Sequence, residues 1–433
     1  MNAQHIVTGT ARAIALPLLF SLAGTAVAAD ATLELLAQKG IITAEEYARL
    51  KAGQKDEATV SLKDGLKVTS GDGKSSLQLG TLLQMDAAYF NGGSVGGVAK
   101  DYGDGTEFRK ARLYLAGSTG AWDFRLETEL APAPATSGIT DAWAAWRGPV
   151  TVTAGHFKVP YSLESLMSDK NLAFMERALS ASFVSPRAPG LMVSKGFSHG
   201  SLAAGVFGEQ LSSTAATNND EGGGFSARAT WAPLIASGRA VHVGGSLHWR
   251  KPTQVNTPAP GLETASFSSK PEMNLMPDKL VNTGNIPGNV RDTSVAALEF
   301  ATTRGPLTAQ AEYTRAKVSR DTGGDLDFDG GYVQLGWALT GETRAYKAET
   351  GVLDGIKPAG RVAWEVAARL SDMNLNDGTL TGGHERNASA AVNAYVGANV
   401  KLSLNYVDVL SVKGGANDGN EPSAVMLRAQ FSY

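Results

Sequence analysis

Ser76-Leu-Gln-Leu-Gly-Thr-Leu-Leu-Gln-Met-Asp-Ala-Ala-Tyr-Phe90 is the stretch that decides the fold. Read in steps of two, one parity carries Leu77, Leu79, Leu83, Met85, Ala87 and Tyr89, and the other Gln78, Gly80, Gln84 and Asp86. Side chains along a strand alternate between two faces, so this is a strand with one apolar and one polar side. The alternation recurs between turn-forming residues near 106–118, 122–132, 138–147, 150–160, 189–198, 200–210, 222–232 and 239–251. It continues near 292–304, 306–319, 328–341, 360–375, 385–398, 399–412 and 421–433, giving sixteen strands in all. An even number of long alternating strands predicts an all-β, sixteen-stranded antiparallel transmembrane barrel. A further extended piece at 65–72 is expected outside the closed sheet.

The connections alternate in length. Ser118-Thr-Gly-Ala121, Gly148-Pro149, Ser198-His-Gly200 and Arg304-Gly-Pro306 are tight, whereas 91–105, 160–189, 211–222, 252–291 and 413–420 are longer. One rim of short turns and one of long loops is the outer-membrane pattern, with the long loops outside. The connection 342–359 breaks it, being long on the short-turn side. The last strand ends Leu427-Arg-Ala-Gln-Phe431-Ser-Tyr433, placing aromatic rings at the expected interfacial girdle. A soluble β-sandwich would have shorter strands and an exposed polar face.

The N-terminus carries Arg12, an apolar run from Ala13 to Leu22 and small residues ending Ala26-Val-Ala-Ala29, which read as a secretory signal peptide over 1–29. No later run reaches the 18 or more apolar residues of a spanning helix. Residues 30–62 read as a short helical periplasmic segment, with Thr43 and Glu46 forming a capping box, and 63–433 as the barrel. The 433 residues contain no cysteine, excluding disulfides and thiolate metal sites. A balance of 39 Lys+Arg against 42 Asp+Glu lacks the basic excess of a nucleic-acid binder.

A charge facing lipid at mid-membrane costs roughly 2–4 kcal/mol, so the polar parity must face the lumen. On that rule Ala111, Leu113, Leu115, Phe124, Leu126, Leu130, Phe157, Val159, Phe225, Trp231, Val241, Val243, Leu247 and Trp249 point outward. Lys110, Arg112, Tyr114, Arg125, His156, Lys158, Arg228, His242, His248 and Arg250 point inward, as do Arg361, Arg369, Lys401 and Arg428. The inward acids are Asp86, Glu127, Glu129, Asp141, Glu299, Glu312 and Glu365. Basic groups outnumber acids on this wall, which favours anion passage; pairing between the two sets would leave only a hydrated, mixed-charge pore. The third long loop, Pro160–Pro189, holds Leu163, Leu166, Leu172, Phe174 and Met175, too apolar for a free loop. It is expected to fold inward and narrow the pore. Lys170, Arg177 and Arg187 are its candidate constriction charges, and Glu164, Asp169 and Glu176 stand near enough in sequence to neutralise them.

Phe108-Arg-Lys-Ala-Arg-Leu113, Trp122-Asp-Phe-Arg-Leu-Glu127, Gly155-His-Phe-Lys-Val-Pro-Tyr-Ser-Leu-Glu164 and Phe174-Met-Glu-Arg177 together resemble the phosphate-selective porin O and P family. Gly336-Trp-Ala-Leu-Thr-Gly-Glu-Thr-Arg344 and Asn399-Val-Lys-Leu-Ser-Leu-Asn-Tyr406 are similar to later landmarks of that family, and the resemblance runs from about residue 31 to the end. It implies a bacterial outer-membrane homotrimer embedded in lipid, passing phosphate, pyrophosphate or other small anions along lumen arginines to a lysine-bearing constriction. Carried over residue by residue, it marks Arg109, Lys110, Arg112, Lys158 and Arg177. Several inward positions hold Gln78, Gln84, Ser389 or Asn393 where a ladder would need a base, so a general or other-solute porin without phosphate selectivity is the alternative. The anion-contacting set is thus read as Lys110, Arg112, Arg125, Lys158, Arg177, Arg187, Arg228 and Arg250, with no cofactor, no metal and no catalysis.

Three motif matches are set aside. Gly196-Phe-Ser-His-Gly200 fits G-x-S-x-G but lies in a strand-to-strand turn, not a strand-to-helix elbow. Asp325-Leu-Asp-Phe-Asp-Gly330 begins like a calcium loop, but position twelve is Gly336 where the bidentate Glu belongs. Asn387-Ala-Ser389 is a sequon inside a strand.

Overall fold

The computed structural model describes residues 34–54, 58–62, 65–131, 138–209, 219–255 and 263–433; the signal-peptide reading falls on residues 1–29, outside those described. Sixteen antiparallel strands form the barrel. They are β1 Ser75–Asn91, β2 Gly105–Thr119, β3 Trp122–Glu129, β4 Gly138–Arg147, β5 Thr151–Lys158, β6 Arg187–Phe197, β7 Gly200–Phe207 and β8 Gly223–Ala236. Then come β9 Arg239–Lys251, β10 Val290–Arg304, β11 Leu307–Arg320, β12 Leu326–Ala338, β13 Val362–Asp377, β14 Leu380–Val396, β15 Val400–Lys413 and β16 Ser423–Ser432. Closure comes from β16 pairing with β1, Ser423 opposite Asn91 and Ser432 opposite Leu82, which satisfies the edge groups that an open sheet would expose.

The described residues up to Leu79, including the first residues of β1, make a second compact unit with Ala116–Gly120. Within it α1 spans Ala44–Gln54 and starts on the capping box: the Thr43 hydroxyl accepts from the Glu46 N–H at 3.1 Å, and the Glu46 carboxylate accepts the Thr43 N–H at 2.9 Å. The extended piece is the strand Leu66–Thr69, which pairs with Thr59–Ser61 and with Ser76–Leu79. It is therefore hydrogen-bonded to the start of β1 without being one of the sixteen.

The parity rule assigns most side chains to the face they occupy. Leu113, Leu126, Leu130, Phe225, Trp231, Val243 and Leu247 are exposed on the outside, and all seven acids assigned inward are buried. Three assignments need correcting. Phe157 and Val159 are buried in the interior beside Tyr161, Leu179 and Phe183, not on the lipid face. Gly155 adopts φ 126°, a conformation that breaks strand alternation, so His156 and Phe157 are both buried. Arg361 is exposed in the connection before β13 and takes no place on the wall. On β2 the alternation slips by one: Phe108 and Leu113 are both exposed although five residues apart, which lets Arg109 face inward as well as Lys110.

Polarity inverts near the long-loop ends of β10 to β13. Val295, Val318, Phe328 and Met373 point inward there into an apolar cluster, while Arg315 and Lys317 stand exposed outside. The interior at that level is filled by residues 263–289, whose Met273, Met276, Leu280 and Ile286 are almost wholly buried. An apolar filling needs an apolar wall, which overrides the polar-inward rule at this end.

Two more segments reach the interior. Residues 159–186 hold a short helix, α2 Leu163–Leu166, and two 3-10 turns, Asp169–Asn171 and Leu179–Phe183. They bond to inward groups across the barrel: Leu179 N–H to Ser371, Asn393 to the Ala173 carbonyl and Lys401 to the Leu172 carbonyl. From the opposite rim the long connection 339–361 forms a small hairpin, pairing Tyr346–Lys347 with Val352–Leu353. Arg344 anchors it on Glu365 at 2.8 Å and donates to the carbonyls of Asn171 and Asp354. This accounts for the one long connection on the short-turn rim: it is an interior segment.

Candidate functional site

The two inserted segments leave a cavity of about 630 Å³ along the wall of β1 to β6, bounded by Asp169 and Lys170 of the third loop. Its cationic lining is Arg112, Arg125, Lys158, Lys170 and Arg187, against the carboxylates Asp123, Glu127, Asp141 and Asp169. Five against four leaves a small positive excess, much weaker than an unpaired ladder would supply. Tyr114 and Trp143 add flat aromatic walls.

Six of the eight sequence-predicted residues gather here. Asp169 is the hub: its carboxylate takes Arg112 and Arg177 at 2.7 Å each and also the Lys110 ammonium. Arg112 further bonds Glu129 at 2.8 Å and lies 3.5 Å from Glu127. Arg187 pairs with Asp141 at 3.0 Å. Arg125 pairs with Glu127 and lies 4.0 Å from the Tyr114 ring centroid, a cation–π contact. These guanidiniums enter the pore already neutralised, so pairing has removed most of the cationic excess that composition suggested.

Lys158 and Arg177 serve the loop itself. The Lys158 ammonium donates to the carbonyls of Ser165 at 2.8 Å, Leu166 at 3.3 Å and Met167 at 2.9 Å. Arg177 donates to the carbonyls of Glu164 and Met167, at 3.0 Å each. Helix ends carry unsatisfied carbonyls, and here two cations satisfy them. The opposite end of α2 is held by Glu312 of β11, which accepts the N–H groups of Leu163 at 2.9 Å and Glu164 at 2.7 Å. Helix α2 is thus fastened at both ends by charged wall or loop residues.

Arg228 and Arg250 do not join the cluster. Arg228 pairs with Glu299 at 2.6 Å and holds the carbonyls of Thr350 and Gly351 at the hairpin tip. Arg250 pairs with Glu209 close to the long-loop end of β9. Lys170 differs from all of these. It is exposed in the cavity and makes no ion pair among the described residues.

Sequence reasoning under-read several interior charges. Arg109 pairs with Glu176 at 2.8 Å, and Arg428 bridges Asp86 and Glu176 at 2.6 and 2.9 Å. Glu272, at φ 61°, binds Arg369 at 2.6 Å from a loop that carried no inward signal. Among the described residues no group of three or more His, Cys, Asp or Glu is placed to hold a metal ion. Two of the three aspartates of the calcium-like stretch pair with bases instead, Asp325 with Lys317 at 3.0 Å and Asp327 with Arg315 at 3.2 Å.

Comparison with known proteins agrees with this architecture. The family model described as phosphate-selective porin O and P matches residues 78–433. Porin O of Pseudomonas aeruginosa is 27% identical over 90% of this chain and 96% of its own length. Among solved structures, a loop-deletion form of the outer-membrane protein OmpT of Vibrio cholerae superposes with a TM-score of 0.53 at 11% identity, covering 83% of this chain and all of that one. An anion-selective porin from Comamonas acidovorans does so with a TM-score of 0.51 at 13% identity, again over 83% of this chain and all of that one. At these identities the two structures speak to the fold alone.

Proposed function

Because the chain belongs to the phosphate-selective porin O and P family and is an outer-membrane channel, we propose that small anions such as phosphate or pyrophosphate cross it along the β1–β6 wall. Lys170 is the ammonium that meets them at the constriction. The observation carrying this reading is the cavity in which four of five cations are held by protein acceptors and only Lys170 is left to bind solute. A cation about 4 Å from an anion in a partly screened site is worth roughly 4 kcal/mol, enough to favour entry and weak enough to permit exit. Arg125 and Arg187 line the approach and set a mildly positive potential. Lys110, Arg112 and Arg177 act through Asp169, holding the loop that presents Lys170. The protein works as a homotrimer.

The second reading is a broader porin with weak anion preference, and the completeness of the ion pairing favours it over strict phosphate selection. Single-channel recording in a KCl gradient separates the two. Lys170→Glu is expected to move the reversal potential toward cation selectivity and abolish block of chloride current by phosphate. An unchanged reversal potential would remove Lys170 from the pathway.

A further inference from the structure

The outer wall of β10 to β14 carries a feature that conduction does not use. Above Tyr313 the outward face turns from apolar to charged: Arg291, Arg315, Lys317 and Arg386 have side chains 56%, 64%, 52% and 60% exposed. They alternate with Asp325, Asp327 and Asp372, which are 37%, 45% and 36% exposed. This end of the strands is the long-loop rim, the outward side of such barrels. Directly below lies a groove of about 730 Å³. Its sides are Leu298, Phe300, Tyr313, Val333 and Leu370, and it runs up to Asp372 and Arg386. Its floor is open because Ala311 and Gly331 stand where their neighbours carry large side chains.

We propose that this face binds a phosphorylated lipid of the outer leaflet, with an acyl chain in the groove and phosphate groups on the charged belt. An apolar slot continuous with an ionic patch fits an amphiphile and no small solute. Exposed ion pairs contribute little to stability, so Arg315 and Arg386 give up their aspartates at small cost. Guanidinium forks match phosphate bidentately. The freed carboxylates suit divalent cations, which favour oxygen ligands and bridge carboxylate to phosphate. A mixed belt therefore fits a headgroup that arrives with its divalent counter-ions better than a purely basic one would.

Native mass spectrometry of the detergent-purified oligomer tests this, with diphosphoryl lipid A as the probe. Retained lipid A is expected to fall at least tenfold in the Arg315→Glu/Arg386→Glu double variant and on chelation of divalent cations, and the dephosphorylated lipid is expected not to be retained. Ala311→Trp, which fills the groove and leaves every charge in place, should also reduce retention, and single-channel conductance should stay at the wild-type value in both variants. Unchanged retention in the folded variants, equal retention of the dephosphorylated lipid, or displacement by millimolar inorganic phosphate would overturn the proposal. So would dissociation of the double variant into monomers, since that would make this face a subunit interface.

Discussion

Replacing Lys158 by methionine separates a residue that binds permeating anions from one that holds the constriction in place. The side chain shortens by one atom, stays unbranched and loses three donors. Met167 retains Arg177 as a partner, so two carbonyls, of Ser165 and Leu166, are orphaned. An unsatisfied buried carbonyl costs about 1–3 kcal/mol, and relief from burying an ammonium returns part of that, so a net loss of roughly 2 kcal/mol in docking of α2 is expected. That raises the undocked population about 30-fold. In single-channel recordings the variant should show open-channel noise and brief steps to higher current, because the helix that bounds the cavity swings with Asp169 and Lys170. Lys158→Arg, which keeps the donors, should restore a quiet channel. A quiet Lys158→Met channel of normal conductance, with only phosphate block weakened, would refute the positioning role and return Lys158 to the anion path.

Other consequences follow from the same contacts. Asp169→Asn leaves Lys110, Arg112 and Arg177 short of one buried negative charge, and breaking a buried pair costs about 3–5 kcal/mol. The oligomer should melt earlier, and the surviving channels should be more anion-selective, measured by thermal unfolding and reversal potential. Arg344→Met cuts the anchor between the inserted hairpin and Glu365 and should raise unit conductance, because the hairpin fills the lumen opposite the cavity. The Thr43 N–H and hydroxyl bonds hold the Glu46 carboxyl below its usual 4.5, and a peptide covering 30–54 isolates that contact for measurement. A depressed carboxyl contributes helix stability above that usual value and loses it as pH falls through the lowered one. Helicity by circular dichroism should therefore drop on acidification, and Thr43→Ala should flatten the response.

The barrel was legible because one physical constraint acts on every strand. Period-two alternation, the even strand count and the rim of short turns each followed from keeping charge out of hydrocarbon and leaving no sheet edge, and observed boundaries such as Arg239–Lys251 and Val400–Lys413 lie close to the expected ones. The capping box of α1 was legible for a similar reason, since its partners are three residues apart. The rule failed where the interior stopped being water. Phe157 and Val159 turn inward because the third loop packs against them, and Arg315 and Lys317 turn outward because residues 263–289 fill the space behind them.

The candidate site was legible as a set of residues and not as a set of roles. Periodicity places Lys110, Arg112, Arg125 and Lys158 inside, and the apolar character of the third loop brings Arg187 inward, but neither carries information about which carboxylate or carbonyl each one meets. Those partners come from 17 to 57 positions away for Arg112, whose acceptors are Glu129 and Asp169. Alternation is a local property, set residue by residue by which solvent each face meets, so the sequence alone determined the closed sheet and the side that most charges take, wherever the interior is water. Whether a charge is spent on a neighbour depends on contacts between distant segments, and only the tertiary structure decided that Lys170 makes no ion pair among the described residues while Lys158, Arg177 and Arg228 hold the inserted loops.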